Sequence, residues 1–211
     1  VDALNVAAKV RVKICGITNE EDAELVVGAG AELMGLNLVP SSKRYVTVEV
    51  ARRLADLVRG RVEIVVVVAD LTVEAAREVR ARVGADSLQH HGSELPELFE
   101  LLPASDFKAV RVASRDDAAQ ALTFRGPRVL LDAKVGSQLG GTGHRFDWSL
   151  AREITSARQV LLAGGLTPDN VADAVREVRP WAVDVASGVE VHPRKKDPDL
   201  VWDFINRARS A

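Results

Sequence analysis

The chain has 211 residues, 47% hydrophobic and 27% charged, with Lys+Arg 28 against Asp+Glu 30, a formal net charge of -2. That composition excludes a disordered chain, and its near-neutral balance argues against nucleic acid as the main partner, because phosphate-backbone binders are basic. One cysteine excludes an intrachain disulfide framework and a cysteine-based zinc site, and points to a reducing, cytoplasmic setting.

Short runs rich in Val, Ile and Leu, bounded by Gly, Pro or Ser, predict strands in chain order at Val10–Cys15, Leu33–Val39, Val62–Val68, Ser87–His91, Phe107–Val112, Arg128–Ala133, Val160–Ala163 and Val183–Ala186. Charged segments with helical spacing lie between them, such as Val50, Leu54, Leu57 and Val58, then Ala75, Val79 and Val83. Thr18-Asn19, Thr47, Thr72, Ser114, Ser149 and Thr167-Pro168 mark helix starts, and Gly30, Gly60 and Gly84 mark ends. The longest near-continuous apolar run, Ile64 to Ala69, is too short to cross a bilayer, and no charged-then-apolar secretory leader opens the chain, so no membrane partner is expected. A strand–helix unit of roughly 25 residues, repeated eight times, predicts a small α/β fold, a (β/α)8 TIM barrel spanning 1–211 as a single domain. A doubly wound open sheet is the competing arrangement, but it needs fewer strands or a second domain, and no linker is visible.

In such a barrel the chemistry sits on loops after the strands. Alternation along the first strand turns Lys13 and Cys15 inward and Val12 and Ile14 toward the helices. Cys15 reads either as a small packed hydrophobe or as a reactive thiol; Lys13 reads as a buried lysine that needs a carboxylate partner. The sixth strand ends on Asp132, followed by a glycine-rich loop with Gly140-Gly141-Thr142-Gly143 instead of an immediate helix, so a functional carboxylate competes with a cap. Gly164-Gly165 and Ser187-Gly188 close the seventh and eighth strands, the pair of loops that commonly holds phosphate in these barrels. Lys43 and Arg44, after the second strand, read either as part of a solvated loop or, for the guanidinium, as a holder of a substrate carboxylate. His90 and His91 are adjacent on a strand and point to opposite faces, so they do not share a metal ion, and no metal is expected.

Together these pieces resemble phosphoribosylanthranilate isomerase. The matching segments are Lys13-Ile14-Cys15-Gly16-Ile17-Thr18, Ser42-Lys43-Arg44-Tyr45, Leu130-Leu131-Asp132, Gly140-Gly141-Thr142-Gly143 with Phe146-Asp147-Trp148, Gly164-Gly165-Leu166-Thr167-Pro168-Asp169-Asn170-Val171 and Val183-Asp184-Val185-Ala186-Ser187-Gly188-Val189-Glu190. They stand in the family's order and cover nearly the whole chain. The resemblance implies an Amadori rearrangement of N-(5-phosphoribosyl)anthranilate in tryptophan biosynthesis, with no cofactor and a small phosphoribosyl substrate as partner. It implies Cys15 as general base, Asp132 as general acid, Arg44 on the anthranilate carboxylate, and Gly164, Gly165, Ser187 and Gly188 on the phosphate. His91 and Asp184 match motif positions and are assigned supporting hydrogen bonds; Lys13 is expected to lend positive charge near the thiol. The chain departs from the family at His90, where leucine is usual, at Asn37 on an otherwise apolar second strand, and at Arg111, where a small residue is common.

Two other functions stay open at this point. One is the related isomerisation of histidine biosynthesis, whose ligand carries two phosphates and needs a second cradle across the barrel. The other is a barrel that binds a sugar phosphate without turning it over. Nothing in the sequence fixes an oligomeric state.

Overall fold

The structure, a computed structural model, describes residues 9–132 and 148–211. Its centre is a closed parallel barrel of strands in the order β1 to β8. These are β1 (Arg11–Cys15), β2 (Leu33–Asn37), β3 (Glu63–Val68), β4 (Ser87–His90), β5 (Phe107–Arg111), β6 (Arg128–Asp132), β7 (Gln159–Ala163) and β8 (Ala182–Val185). Around them lie α1 (Glu20–Gly28), α2 (Val48–Val58), α3 (Val73–Val83), α4 (Arg115–Ala121), α5 (Trp148–Thr155), α6 (Pro168–Val178) and α7 (Pro198–Arg209). The expected TIM barrel is therefore the observed fold. Among the described residues no helix is long and apolar enough to cross a membrane.

Each strand divides its side chains between two cores, as alternation requires. Val12, Ile14, Met34, Leu36, Ile64, Val66, Leu88 and Val110 pack outward against the helices. Leu33, Val65, Phe107, Ala109, Leu130 and Leu161 fill the barrel interior. At the N-terminal end of the barrel, Trp181 sits against the guanidinium groups of Arg11 and Arg128, each 4.7 Å from its ring centroid, and Arg128 also pairs with Glu63. Charge and aromatic area close that end, leaving the C-terminal mouth as the open one.

Caps follow the sequence signals. The side chains of Asn19, Thr47, Thr72 and Ser114 accept hydrogen bonds from first-turn amides, and Thr167 and Asn170 form a reciprocal capping box at the start of α6. Four local expectations change. Strand β2 stops at Asn37, two residues before the expected end, because the Asn37 side chain accepts the Val39 amide at 2.8 Å and turns the chain. Between β4 and β5 there is only a 3-10 helix, Pro96–Glu100. Ser149 lies inside α5, which starts at Trp148. On α2 the buried stripe is Ala51, Leu54, Ala55 and Val58; Leu57 falls on its flank and is exposed, as is Trp202 on α7. The expected glycine-rich loop, Gly140 to Gly143, lies outside the described residues.

Candidate active site

A cavity of about 280 Å³ opens at the C-terminal mouth, and the expected residues meet there. Cys15 and Asp132 line it from β1 and β6, with Arg44, His91 and Asp184 around them and Gly164, Gly165, Ser187 and Gly188 along one side.

Cys15 is buried at the end of β1, with its sulfur toward β2. Gly35 makes room for it: a Cβ there would stand 2.7 Å from the sulfur. One alternation step below, the ammonium of fully buried Lys13 reaches Asp184 on β8 at 2.9 Å, the carboxylate partner that an inward lysine requires. Burial pulls the Lys13 pKa down, but its interactions with Asp184 and Cys15 outweigh that, and the net shift is upward. Lys13 therefore stays a cation beneath the thiol.

Asp132 faces His91 across the mouth, with Nε2 and Oδ2 3.8 Å apart, beyond a direct hydrogen bond. Burial lowers the His91 pKa, Asp132 opposes the shift, and Lys108 and Arg111 reinforce it. His91 is thus a neutral imidazole at neutral pH. His90 points the other way, into the helix-facing layer, as alternation predicts. There it is fully buried and lies edge-on to Phe99.

Arg44 lies across Gly16. That glycine has φ of 80°, and a Cβ on it would collide with the Arg44 side chain. The arginine is not idle before substrate arrives. Its Nε donates to Glu190 Oε1 at 2.7 Å and its Nη2 to the other carboxylate oxygen. The Glu190 hydrogen bonds raise the Arg44 pKa; burial alone would raise that of Glu190, but Arg44 and Lys196 hold it low. Glu190 opens a short hairpin, β9 (Glu190–His192) with β10 (Lys195–Lys196). From β10 the fully buried Lys196 donates to the Cys15 carbonyl at 2.7 Å, the Ala186 carbonyl at 2.9 Å and Glu190 Oε1 at 3.0 Å. Burial lowers the Lys196 pKa, with Glu190 pulling against it.

Sequence reasoning missed Glu190 and Lys196 as site residues. They join the end of β1, the end of β8 and Arg44 into one hydrogen-bonded unit. The available signal was an inward-turned basic residue in a Lys195-Lys196 pair just before the Asp197 cap of α7, but a two-residue strand offers no alternation to read.

The loops after β7 and β8 touch backbone to backbone. A Cβ on Gly188 would overlap the Leu166 carbonyl oxygen, so this approach needs glycine. Gly164 and Gly165 have φ of 96° and 66°. Among the described residues, no three His, Cys, Asp or Glu side chains cluster as metal ligands.

A mouth of this kind, with its polar groups on the loops that follow the strands, defines a (β/α)8-barrel enzyme for a small anionic substrate. A family profile described as N-(5'phosphoribosyl)anthranilate (PRA) isomerase matches residues 12–207. The N-(5'-phosphoribosyl)anthranilate isomerase of Trichlorobacter lovleyi is 41% identical over 203 residues, covering 96% of this chain and 99% of that protein. The crystal structure of phosphoribosyl anthranilate isomerase from Thermotoga maritima superposes with a TM-score of 0.87 at 42% identity, over 96% of this chain and all of that one (100%). A structure of the isomerase in complex with reduced 1-(o-carboxyphenylamino)-1-deoxyribulose 5-phosphate has a TM-score of 0.84 at 39% identity, again covering 96% and 100%. The chain belongs to the N-(5'-phosphoribosyl)anthranilate isomerase family.

Proposed function

We propose that Cys15 is the general base and Asp132 the general acid of this family's reaction. That reaction is the Amadori isomerisation of N-(5'-phosphoribosyl)anthranilate to 1-(2-carboxyphenylamino)-1-deoxyribulose 5-phosphate in tryptophan biosynthesis, and this chain is an isomerase of that kind. Asp132 gives a proton to the ribose ring oxygen as the C1'–O bond breaks, leaving an iminium at C1'. The Cys15 thiolate then removes the C2' proton, and the electron pair forms the C1'–C2' double bond of an enolamine. Tautomerisation returns a proton to C1' and yields the ketone, so no external oxidant or reductant is consumed.

Arg44 takes the anthranilate carboxylate on the guanidinium edge that Glu190 leaves open, and Gly164, Gly165, Ser187 and Gly188 take the phosphate. Lys13 supports the charge of the thiolate from below, with Asp184 as its counterion. His91, neutral, steadies Asp132. The phosphorylated ligand of the related complex supports this substrate class. A mechanism that turns on a free thiolate suits a reducing, cytoplasmic compartment.

One observation carries the reading: Cys15 and Asp132, from strands far apart in sequence, line the same cavity, between a mouth arginine and the two glycine loops. Cys15→Ala and Asp132→Asn should each lower kcat by roughly 10²–10⁴-fold, the usual contribution of one general acid or base. Far-UV circular dichroism should not change. Near-normal kcat in either folded variant would refute that residue's assignment. Restored growth of a tryptophan auxotroph lacking this step checks the reaction itself.

A further inference from the structure

We propose that Gln89 is a further substrate-binding residue: from the floor of the cavity its carboxamide takes a ribose hydroxyl. Gln89 stands near the end of β4, two residues before His91, so alternation turns both inward and sets Gln89 one step deeper in the barrel. It lines the same cavity as Cys15, Asp132 and the glycine loops, yet it is only 3% exposed. Its Oε1 is buried without a hydrogen-bond partner among the described residues.

A buried amide oxygen in that condition lowers stability, and native proteins rarely keep one without a use. Its neighbours explain why it goes unpaired. In register, Gln89 lies between Val67 on β3 and Phe107 on β5, and neither side chain has a polar atom to offer. An apolar residue of the same length would suit those neighbours better. Other polar groups of the cavity are engaged: Asp184 accepts from Lys13 at 2.9 Å, and the Asn37 oxygen accepts the Val39 amide at 2.8 Å. Among the described residues that line the cavity, Gln89 is the only one with a buried, unpartnered side-chain polar atom.

The substrate supplies the match. Arg44 and the glycine loops are assigned to its carboxylate and its phosphate, and Asp132 to its ring oxygen. The hydroxyls on C2' and C3' are then the polar groups left to turn toward the floor. A hydroxyl both donates and accepts, as a carboxamide does, and the broad terminal torsion of glutamine lets either amide atom meet it. This contact rests on that placement of the substrate, not on which group acts as base.

The test is titration calorimetry of the full chain with two ligands. One is reduced 1-(o-carboxyphenylamino)-1-deoxyribulose 5-phosphate, which carries the hydroxyls. The other is N-(5-phosphooxypentyl)anthranilate, which joins the same two ends through a chain without them. Gln89→Met keeps the length of the side chain and removes the amide. It should bind the first ligand about tenfold more weakly than wild type, the scale of one well-made hydrogen bond, and the second with an unchanged Kd. Without ligand, the variant should unfold at the wild-type urea midpoint or above it, because an unpartnered polar group has left the core. A purely structural glutamine gives the reverse, a lower midpoint and equal weakening for both ligands. Either of those results, or an unchanged Kd for the reduced product, overturns the proposal. Gln89→Leu is measured alongside, and a failure of both variants to fold has the same meaning. A wild type that binds neither ligand overturns the substrate placement itself, and this contact with it.

Discussion

Arg44 can give a substrate carboxylate only the edge that Glu190 does not use. The fork of a guanidinium has two such edges, and Glu190 occupies the one made by Nε and Nη2. Glu190 therefore sets the direction in which the other edge points, and Lys196 fixes Glu190 while also holding the Cys15 carbonyl. These roles separate kinetically. Glu190→Gln weakens charge-assisted bonds at the binding end, so KM should rise about tenfold with kcat within roughly threefold of wild type. Lys196→Met loosens the backbone that carries Cys15, the proposed base, so its loss should fall on kcat. Steady-state kinetics of the two variants checks this, and equal proportional changes in kcat and KM for both would show a purely structural pair. Lys13 and Asp184 form a second buried ion pair, and its readout is stability. Asp184→Asn leaves Lys13 charged without a counterion and should cost about 3–5 kcal/mol in urea unfolding.

The loops after β7 and β8 act as one element, since Gly188 meets the Leu166 carbonyl directly. Gly188→Ala should push them apart, raising KM by at least about tenfold and weakening competitive inhibition by inorganic phosphate to a similar degree, with secondary structure retained. Similar logic explains what the sequence could reveal at this scale. Strand positions and inward residues were readable because period-two alternation and terminal glycines are local signals, and they put Lys13 and Cys15 on the correct face. Asp132, Gly164 and Ser187 were readable as mouth residues once the strand count implied a barrel. The end of β2 was misplaced because a single side-chain bond from Asn37 overrode an apolar run. The link from Arg44 to Glu190 spans 146 residues and joins loops that only barrel closure brings together. The Glu94 carboxylate accepts the Asp70 and Gly92 amides, and that capture left no mark in composition or spacing, for carboxylate-to-amide bonds have no periodicity.

At the scale of the whole molecule, a closed barrel has no free strand edge, and stability rests on the layer between strands and helices. His90 is the unusual member of that layer, standing where the family's leucine is expected. Among the described residues neither ring nitrogen has a hydrogen-bond partner; Glu94 lies 3.9 Å from Nδ1 and Asp106 3.8 Å from Nε2. Burial pushes its pKa from 6.5 down to about 4; Glu94 opposes that change, and Lys108 and Arg80 add to it. An unfolded chain therefore binds more protons than the folded one between those two values, and the folded state loses ground as the solution is acidified. The contribution is complete above pH 6.5 and vanishes as pH falls through about 4. Its size is about 3 kcal/mol, because each tenfold loss of proton affinity on folding is worth roughly 1.4 kcal/mol. His90→Leu removes the titrating group and fills the same apolar space. Urea unfolding of both proteins from about pH 7 to about pH 4.5 should show the wild type losing on the order of 2–3 kcal/mol more than the variant. Parallel losses in the two proteins would assign the acid sensitivity to the carboxylates that pair with Lys108 and Lys196 instead.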